Sequence, residues 1–176
     1  MRNRSFFAIA KPSVTDVDFK TLRKQGISCV LFDVEGTLTQ WGDERVSAAL
    51  RRHIASSGLR KIGIISNMPK SHVARAQKVG AQIGAQVVMV PQTWRMRKPG
   101  SAMVQACMQA LSAEPSETII IGDKLIDALT AKRAGLAGVI WVEVLPGADH
   151  WFDKYIYRMI EPVAKKYFTK RYTYPS

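Results

Sequence analysis

The sequence is short of acid. Its 176 residues carry 26 lysines and arginines against 14 aspartates and glutamates, a formal net charge of +12. That balance disfavours cationic partners and favours anionic ones: phosphorylated substrates, nucleic acid or acidic lipid head groups. The excess is uneven. Residues 1–27 and 151–176 each hold six basic and two acidic groups, and the 123 residues between them add only +4. Cysteine is scarce as well. Cys29 and Cys107 are the only two, and neither forms a CxxC pair. This argues against a disulfide framework and for reduced packing residues in a reducing compartment. No apolar run approaches ~18 residues, so no membrane-spanning helix is expected. The apolar stretch at residues 6–10 is too short for a secretory signal, which leaves a cytoplasmic expectation. His53, His72 and His150 show no metal-ligand spacing and read as surface or core residues. There is no internal repeat and no low-complexity tract.

What is present is an alternation of short apolar runs with helical patterns. Runs at 28–33, 61–66, 86–90, 117–122 and 138–142 are β-branched-rich and continuously apolar, as in strands buried on both faces. Helical patterns at 44–57, 71–83, 101–111 and 125–134 lie between them, with Gly58, Gly84 and Gly135 at their ends. Alternation of this kind predicts an α/β fold with a parallel sheet and right-handed crossovers. At 176 residues the chain suits one domain, 1–176. In such sheets the ligand site lies at the carboxyl ends of the strands.

Those ends are polar and chemically coherent. The first predicted strand stops at Asp33, followed by Glu35, Gly36 and Thr37. The second ends in Ser66-Asn67. The third runs into "PQTWRMRKPG", with Arg95, Arg97 and Lys98, and the fourth into Gly122-Asp123, with Asp127 four residues on. Phosphoryl transfer needs such parts. Asp33 can attack phosphorus, and a second acid beside it can protonate the leaving oxygen and then activate water. Mg²⁺ between Asp33 and Asp123 would offset the repulsion between a carboxylate and a phosphoryl group. Lys98 and the Ser66 hydroxyl would hold the remaining phosphoryl oxygens. Ser66 also suits a helix cap, and Asp127 suits either a water-mediated metal contact or a helix N-terminus. Arg95 and Arg97 read equally as an exposed basic loop or as a site for a second phosphate or head group.

In order, "DVEGTLT", "IISN", "RKPG" and "IIIGDKLID" resemble the four motifs of the haloacid dehalogenase superfamily over residues 28–142. The resemblance implies a Rossmann-like three-layer sandwich, here with a five-stranded parallel sheet. It also implies Asp33 as nucleophile and Glu35 in the acid/base position. Phosphate and metal roles fall to Ser66, Asn67, Lys98, Asp123 and Asp127, with Mg²⁺ as cofactor and Asp33 and Glu35 contributing to its site. More closely, "SVTDVDFKTLRKQGISCVLFDVEGTLTQW", "RMRKPGSAM", "GDKLIDALTAKRAGL" and "WFDKYIYRMIEPV" are similar to the capless phosphatidylglycerophosphate phosphatases, subfamily III. Members usually carry Asp-x-Asp-Asn-Thr and one more residue in GDxxxxD; this chain departs at both places. Its "DxEGT" looks like the pattern of enolase-phosphatase-type enzymes. Glutamate keeps the carboxyl chemistry but is one methylene longer, and misplacing a catalytic group by about 1 Å costs ~100-fold.

The superfamily's caps insert after the first or second motif. Here 26 residues separate Thr39 from Ser66 and 30 separate Asn67 from Lys98, with no room for a further domain of ~50 residues. No cap domain is therefore expected, and an open site suits a lipid, polymer or protein phosphate. All five tyrosines lie within 155–174, where apolar pairs recur every four residues from Trp151/Phe152 to Tyr167/Phe168. This helix, kinked or restarted at Pro162, either packs on the sheet or lies on an anionic membrane. The expectation is a Mg²⁺-dependent phosphatase acting on phosphatidylglycerophosphate, with peripheral membrane contact and room for a homo-oligomer. A polynucleotide end-phosphatase and a non-catalytic phosphate-binding scaffold are the alternatives.

Overall fold

Strands buried on both faces need helices above and below, and the chain supplies both layers. The computed structural model describes residues 5–145 and 151–172, apart from the side chains of 151–160. Six strands, β1 (Phe7–Lys11), β2 (Cys29–Phe32), β3 (Lys61–Ile65), β4 (Val87–Met89), β5 (Thr118–Gly122) and β6 (Gly138–Val142), form one sheet. Its order is β1-β6-β5-β2-β3-β4, and every pairing is parallel. The helices are α1 (Phe19–Lys24), α2 (Ala48–Ala55), α3 (Val73–Ile83), α4 (Ala102–Ala110), α5 (Leu125–Arg133) and α6 (Trp151–Arg171). One face of the sheet packs Phe19, Leu22, Leu50, Ile54, Ala76 and Val79 from the first three helices. The other packs Val104, Cys107, Ala128, Ala131 and Phe168 from the last three.

The sheet has six strands rather than the five expected. The sixth is β1, from the basic N-terminal flank. "FAIAK" holds only two large apolar residues, so its pattern is weak. Pairing with β6 and the contact of Phe6 and Ala8 with Tyr172 behind α6 make it a strand. Helix starts are also later than the periodicity suggests. The first turn of the 44–57 pattern is taken up by Asp43, whose carboxylate accepts from the backbone of Glu44 and Arg45. Ser47 then caps α2 by accepting from Leu50 N at 3.2 Å. Gly84 ends α3 in the left-handed region at φ +70°, as its position predicted.

α6 does not restart at Pro162; one helix runs through it. In its described half, Phe168 is buried beside Trp141 and Tyr172, whereas Val163 and Tyr167 face outward. The packed reading of this helix therefore holds for that half. Trp151, Phe152, Tyr155, Ile156, Met159 and Ile160 lie outside the described side chains, as does His150. No helix among the described residues is long and apolar enough to cross a membrane. Both thiols are buried, and burial pushes Cys29 up to about 11 and Cys107 up to about 12, as packing residues require.

The amino ends of three strands are tied by Glu117. Its carboxylate accepts from Ser28 Oγ and Lys61 Nζ, each at 2.6 Å. Burial opposes its charge, but the Lys61 and Ser28 hydrogen bonds prevail and hold it below the usual carboxylate range. A depressed pKa contributes stability above the unfolded value and loses it as pH falls. Glu117→Gln is therefore expected to cost about 1 kcal/mol near neutral pH. The difference from wild type should begin to shrink as pH falls through the ordinary glutamate range near ~4.3 and vanish only below the depressed folded value, as measured by urea unfolding across that range.

Candidate active site

Parallel strands bring all their carboxyl ends to one edge, and the order of this sheet reverses between β2 and β5. Chain leaving β2 goes to β3 and β4 on one side; β5 and β6 return on the other. A crevice opens at such a reversal. Register puts Phe32 opposite Ile64 and Ile121, so Asp33 and Asp123 leave neighbouring strands together.

Lys98 reaches into this crevice from the loop after β4. Its ammonium donates to Asp33 Oδ1 at 2.7 Å and to Asp127 Oδ1 at 2.6 Å, with its side chain 1% exposed. Asp33, Asp123 and Asp127 present carboxylate oxygens all within 4.8 Å of one another. Two of these three buried carboxylates are bonded to one buried lysine. Burial pushes the Asp123 carboxyl well up, reinforced by Asp33 and Asp127. Burial raises Asp127 as well, against the pull of Lys98. Burial alone would discharge Lys98, but Asp127 and Asp33 outweigh it and raise the ammonium above its ordinary value.

This donor set fits a hard divalent cation. Among the described residues Asp123 Oδ2 is buried without a hydrogen-bond partner, while Oδ1 accepts from the Thr37 hydroxyl at 3.0 Å. The cluster carries more negative charge than Lys98 neutralises, and all its atoms are oxygens, as Mg²⁺ prefers. Gly36 makes the approach possible. At φ +85°, a Cβ there would stand 2.4 Å from Asp123 Oδ2, so no other residue lets the loop pass so close.

The other expected residues fall into place around this centre, though not all with the contacts anticipated. Ser66 is buried, and its hydroxyl accepts from Met68 N at 3.4 Å, so it closes a turn rather than capping α3. Asn67 stands one step back. Its amide donates to Lys98 O at 3.0 Å and accepts from Lys98 N at 2.8 Å, so both ends are spent on holding the lysine backbone. Asp127 accepts from Lys98 and also from Lys124 N at 3.2 Å, combining cluster and helix-start roles. Arg95 and Arg97 are exposed; Arg97 donates to Asn67 O at 3.3 Å and lies 5.2 Å over the Trp94 ring. Glu35 is not gathered with the three aspartates. Its carboxylate pairs with Arg75 of α3. His53 bonds Val17 O beside Phe19, a packed residue as expected.

Arg75 and Thr37 are the residues that sequence reasoning missed. Thr37 was visible inside "DVEGT" but carried no assigned role. Arg75 had no local signal: it sits in the first turn of α3, 40 residues from Glu35, and only the packing of α3 beside the loop after β2 joins them.

Residues 52–142, just over half of the chain, match the family model described as haloacid dehalogenase-like hydrolase. The match begins after Asp33 and Glu35. A curated relative from Rhodospirillum rubrum named phosphoglycolate phosphatase is 32% identical over 94 residues, 52% of this chain and 38% of that protein. The chain thus matches well under half of that relative's length. Among solved structures, an uncharacterized protein from Listeria monocytogenes serotype 4b aligns over 68% of this chain and 83% of its own, at TM-score 0.55 and 18% identity. A Haemophilus somnus 129PT protein described as a predicted phosphoglycolate phosphatase aligns over 64% and 84%, at 0.53 and 13%. At these identities the two structures establish the shared fold.

Removing the ammonium from the carboxylate cluster tests its electrostatics directly. Lys98→Met is expected to lower unfolding free energy by about 3–5 kcal/mol, because it leaves buried carboxylates facing one another. Magnesium chloride should restore part of that loss, and paired urea titrations with and without the salt measure both effects.

Proposed function

The chain belongs to the haloacid dehalogenase-like hydrolase family, and from that premise we propose that it is a Mg²⁺-dependent phosphomonoesterase. The observation that carries the reading is the Asp33 carboxylate held by Lys98 within a buried cluster of three aspartates. Asp33, Asp123 and Asp127 would hold Mg²⁺, which when bound supplies positive charge against the phosphoryl oxygens.

In the first step a carboxylate oxygen of Asp33 forms a bond to phosphorus as the ester P–O bond breaks, giving an aspartyl-phosphate. Glu35 donates the proton that the leaving oxygen needs. In the second step Glu35 takes a proton from water, whose oxygen attacks phosphorus and releases Asp33 and inorganic phosphate. Lys98 orients Asp33 and offsets the charge of the transferring group. Ser66 and the backbone at Gly36 line the same edge. Arg75 positions Glu35, which explains how a side chain one methylene longer than aspartate is kept in a defined place. This reading differs from a disabled scaffold in requiring Glu35 to take part.

The substrate proposed is phosphatidylglycerophosphate. Resemblance to the capless subfamily supports it, as do the basic flanks and the short segments between motif residues. Those segments are consumed by α2 and β3 on one side and by α3 and β4 on the other, which supports an open site without a cap. A second reading, a soluble phosphate ester such as phosphoglycolate, is favoured by the name of the Rhodospirillum relative.

Phosphate release from phosphatidylglycerophosphate in vesicles, beside a panel including phosphoglycolate and a 5′-phosphorylated oligonucleotide, tests the assignment. Preference for the lipid by orders of magnitude is expected; preference for another member of the panel overturns the lipid reading. Asp33→Asn should abolish release, and a chelator should abolish it reversibly. Arg75→Ala is expected to lower kcat about 100-fold with little change in KM, and Arg75→Lys to recover part of that loss.

A further inference from the structure

Four large apolar side chains are prominently exposed among the described residues: Trp41, Trp94, Val163 and Tyr167. Trp94 stands out at 81% exposure. An indole this exposed offers a large apolar face with a polar tip, the kind of side chain enriched at interfaces and in membrane-interface belts. It sits in the loop after β4, at the carboxyl edge of the sheet. The same loop ends four residues later at Lys98, so the exposed indole and the buried ammonium belong to one short segment.

The surroundings of Trp94 are cationic. Segments 67–70 and 91–98 hold Lys70, Arg95, Arg97 and Lys98 and no acidic residue. Lys70 and Arg95 are exposed. The Arg97 guanidinium lies over the indole. Trp94, Arg97 and Lys70, with Met68 and Pro91, line a cleft of about 240 Å³ on this rim. Trp41 differs: Asp43 and Glu44 follow it closely, and the latter is paired with Lys78. The uniformly basic part of the edge is therefore the part built on β3 and β4.

We infer that the 91–97 loop and residues 68–70 form a docking surface for an anionic lipid bilayer, with Trp94 as its interfacial anchor. Indoles settle at the head-group level, where one side of the ring is apolar and the other wet. Each cation near an anionic surface adds roughly 1 kcal/mol, about fivefold in partitioning. Charge complementarity selects the acidic bilayer over a neutral one. Docking there would bring the Asp33–Lys98 crevice to the depth at which a lipid phosphate monoester stands. This surface is separate from the C-terminal helix: α6 covers β1 at one end of the sheet, and Trp94 follows β4 at the other. The inference deepens the phospholipid reading and rests on it for the choice of lipid as partner.

The test uses the full chain as Asp33→Asn, which binds without turnover, and sedimentation with vesicles. Vesicles of phosphatidylcholine alone are compared with vesicles that also contain phosphatidylglycerol. Binding to the anionic vesicles only, with a blue shift in tryptophan emission, is expected. Trp94→Ala should weaken it by at least about tenfold and Arg95→Gln by about fivefold, with unfolding midpoints unchanged. Tyr167→Ala, on α6, should bind like the parent. The inference fails if Trp94→Ala binds like the parent, if neutral vesicles bind equally well, or if no vesicles bind. It fails equally if the Trp94-dependent partner is a single-stranded oligonucleotide. Phosphate release is scored separately on the wild type. Trp94-dependent vesicle binding without release from phosphatidylglycerophosphate sinks the substrate reading and leaves docking standing; release without such binding does the reverse.

Discussion

A single ammonium group buried among carboxylates is the constraint on which the carboxyl edge of the sheet depends. Lys98 cannot stay charged in that crevice without Asp33 and Asp127, and the aspartates cannot stay close without it. Each neighbouring feature serves that arrangement. Asn67 grips the Lys98 backbone from both sides, Gly36 clears the space beside Asp123, and Thr37 satisfies one of that residue's oxygens. The remaining oxygen of Asp123 has no protein partner, and the excess negative charge is what a divalent cation would relieve. Stability at this edge thus depends on groups that repel one another in the folded protein and on the one cation that joins them.

Glu35 belongs to a second unit. Its pairing with Arg75 links the loop after β2 to α3, so the acid is held from outside the aspartate cluster. A shorter aspartate on the same backbone would reach less far toward that guanidinium. The glutamate and the arginine form one ion pair between the loop after β2 and α3.

The molecule is also asymmetric across its sheet. At the β1 end, α6 and Tyr172 cover the edge, and the aromatic flank is spent in part on packing. At the β4 end, a loop with an exposed indole and several cations is left uncovered. The basic excess of the flanks suggested that the termini would meet anionic partners. Among the described residues, the cations paired with Asp33, Asp127 and Glu35 come from the middle of the chain, Lys98 from the loop after β4 and Arg75 from α3.

Much of this was legible without coordinates. Short, continuous β-branched runs fit strands covered on both faces, and their alternation with helices predicts a parallel sheet with one polar edge. Asp33, Ser66 and Asp123 could be read from that edge because each follows a strand directly, and Lys98 because it lies in the loop that leaves the third predicted strand. Other features were beyond the sequence because they depend on distance through space rather than along the chain. β1 is a strand because β6 and α6 accept it. Asn67 serves Lys98 across 31 residues, and Arg75 meets Glu35 only because α3 packs beside the first loop. Local pattern determined which elements form and which residue types reach the edge. Tertiary packing decided which of those residues touch, because a hydrogen bond or ion pair is set by a few ångströms that no spacing in sequence encodes.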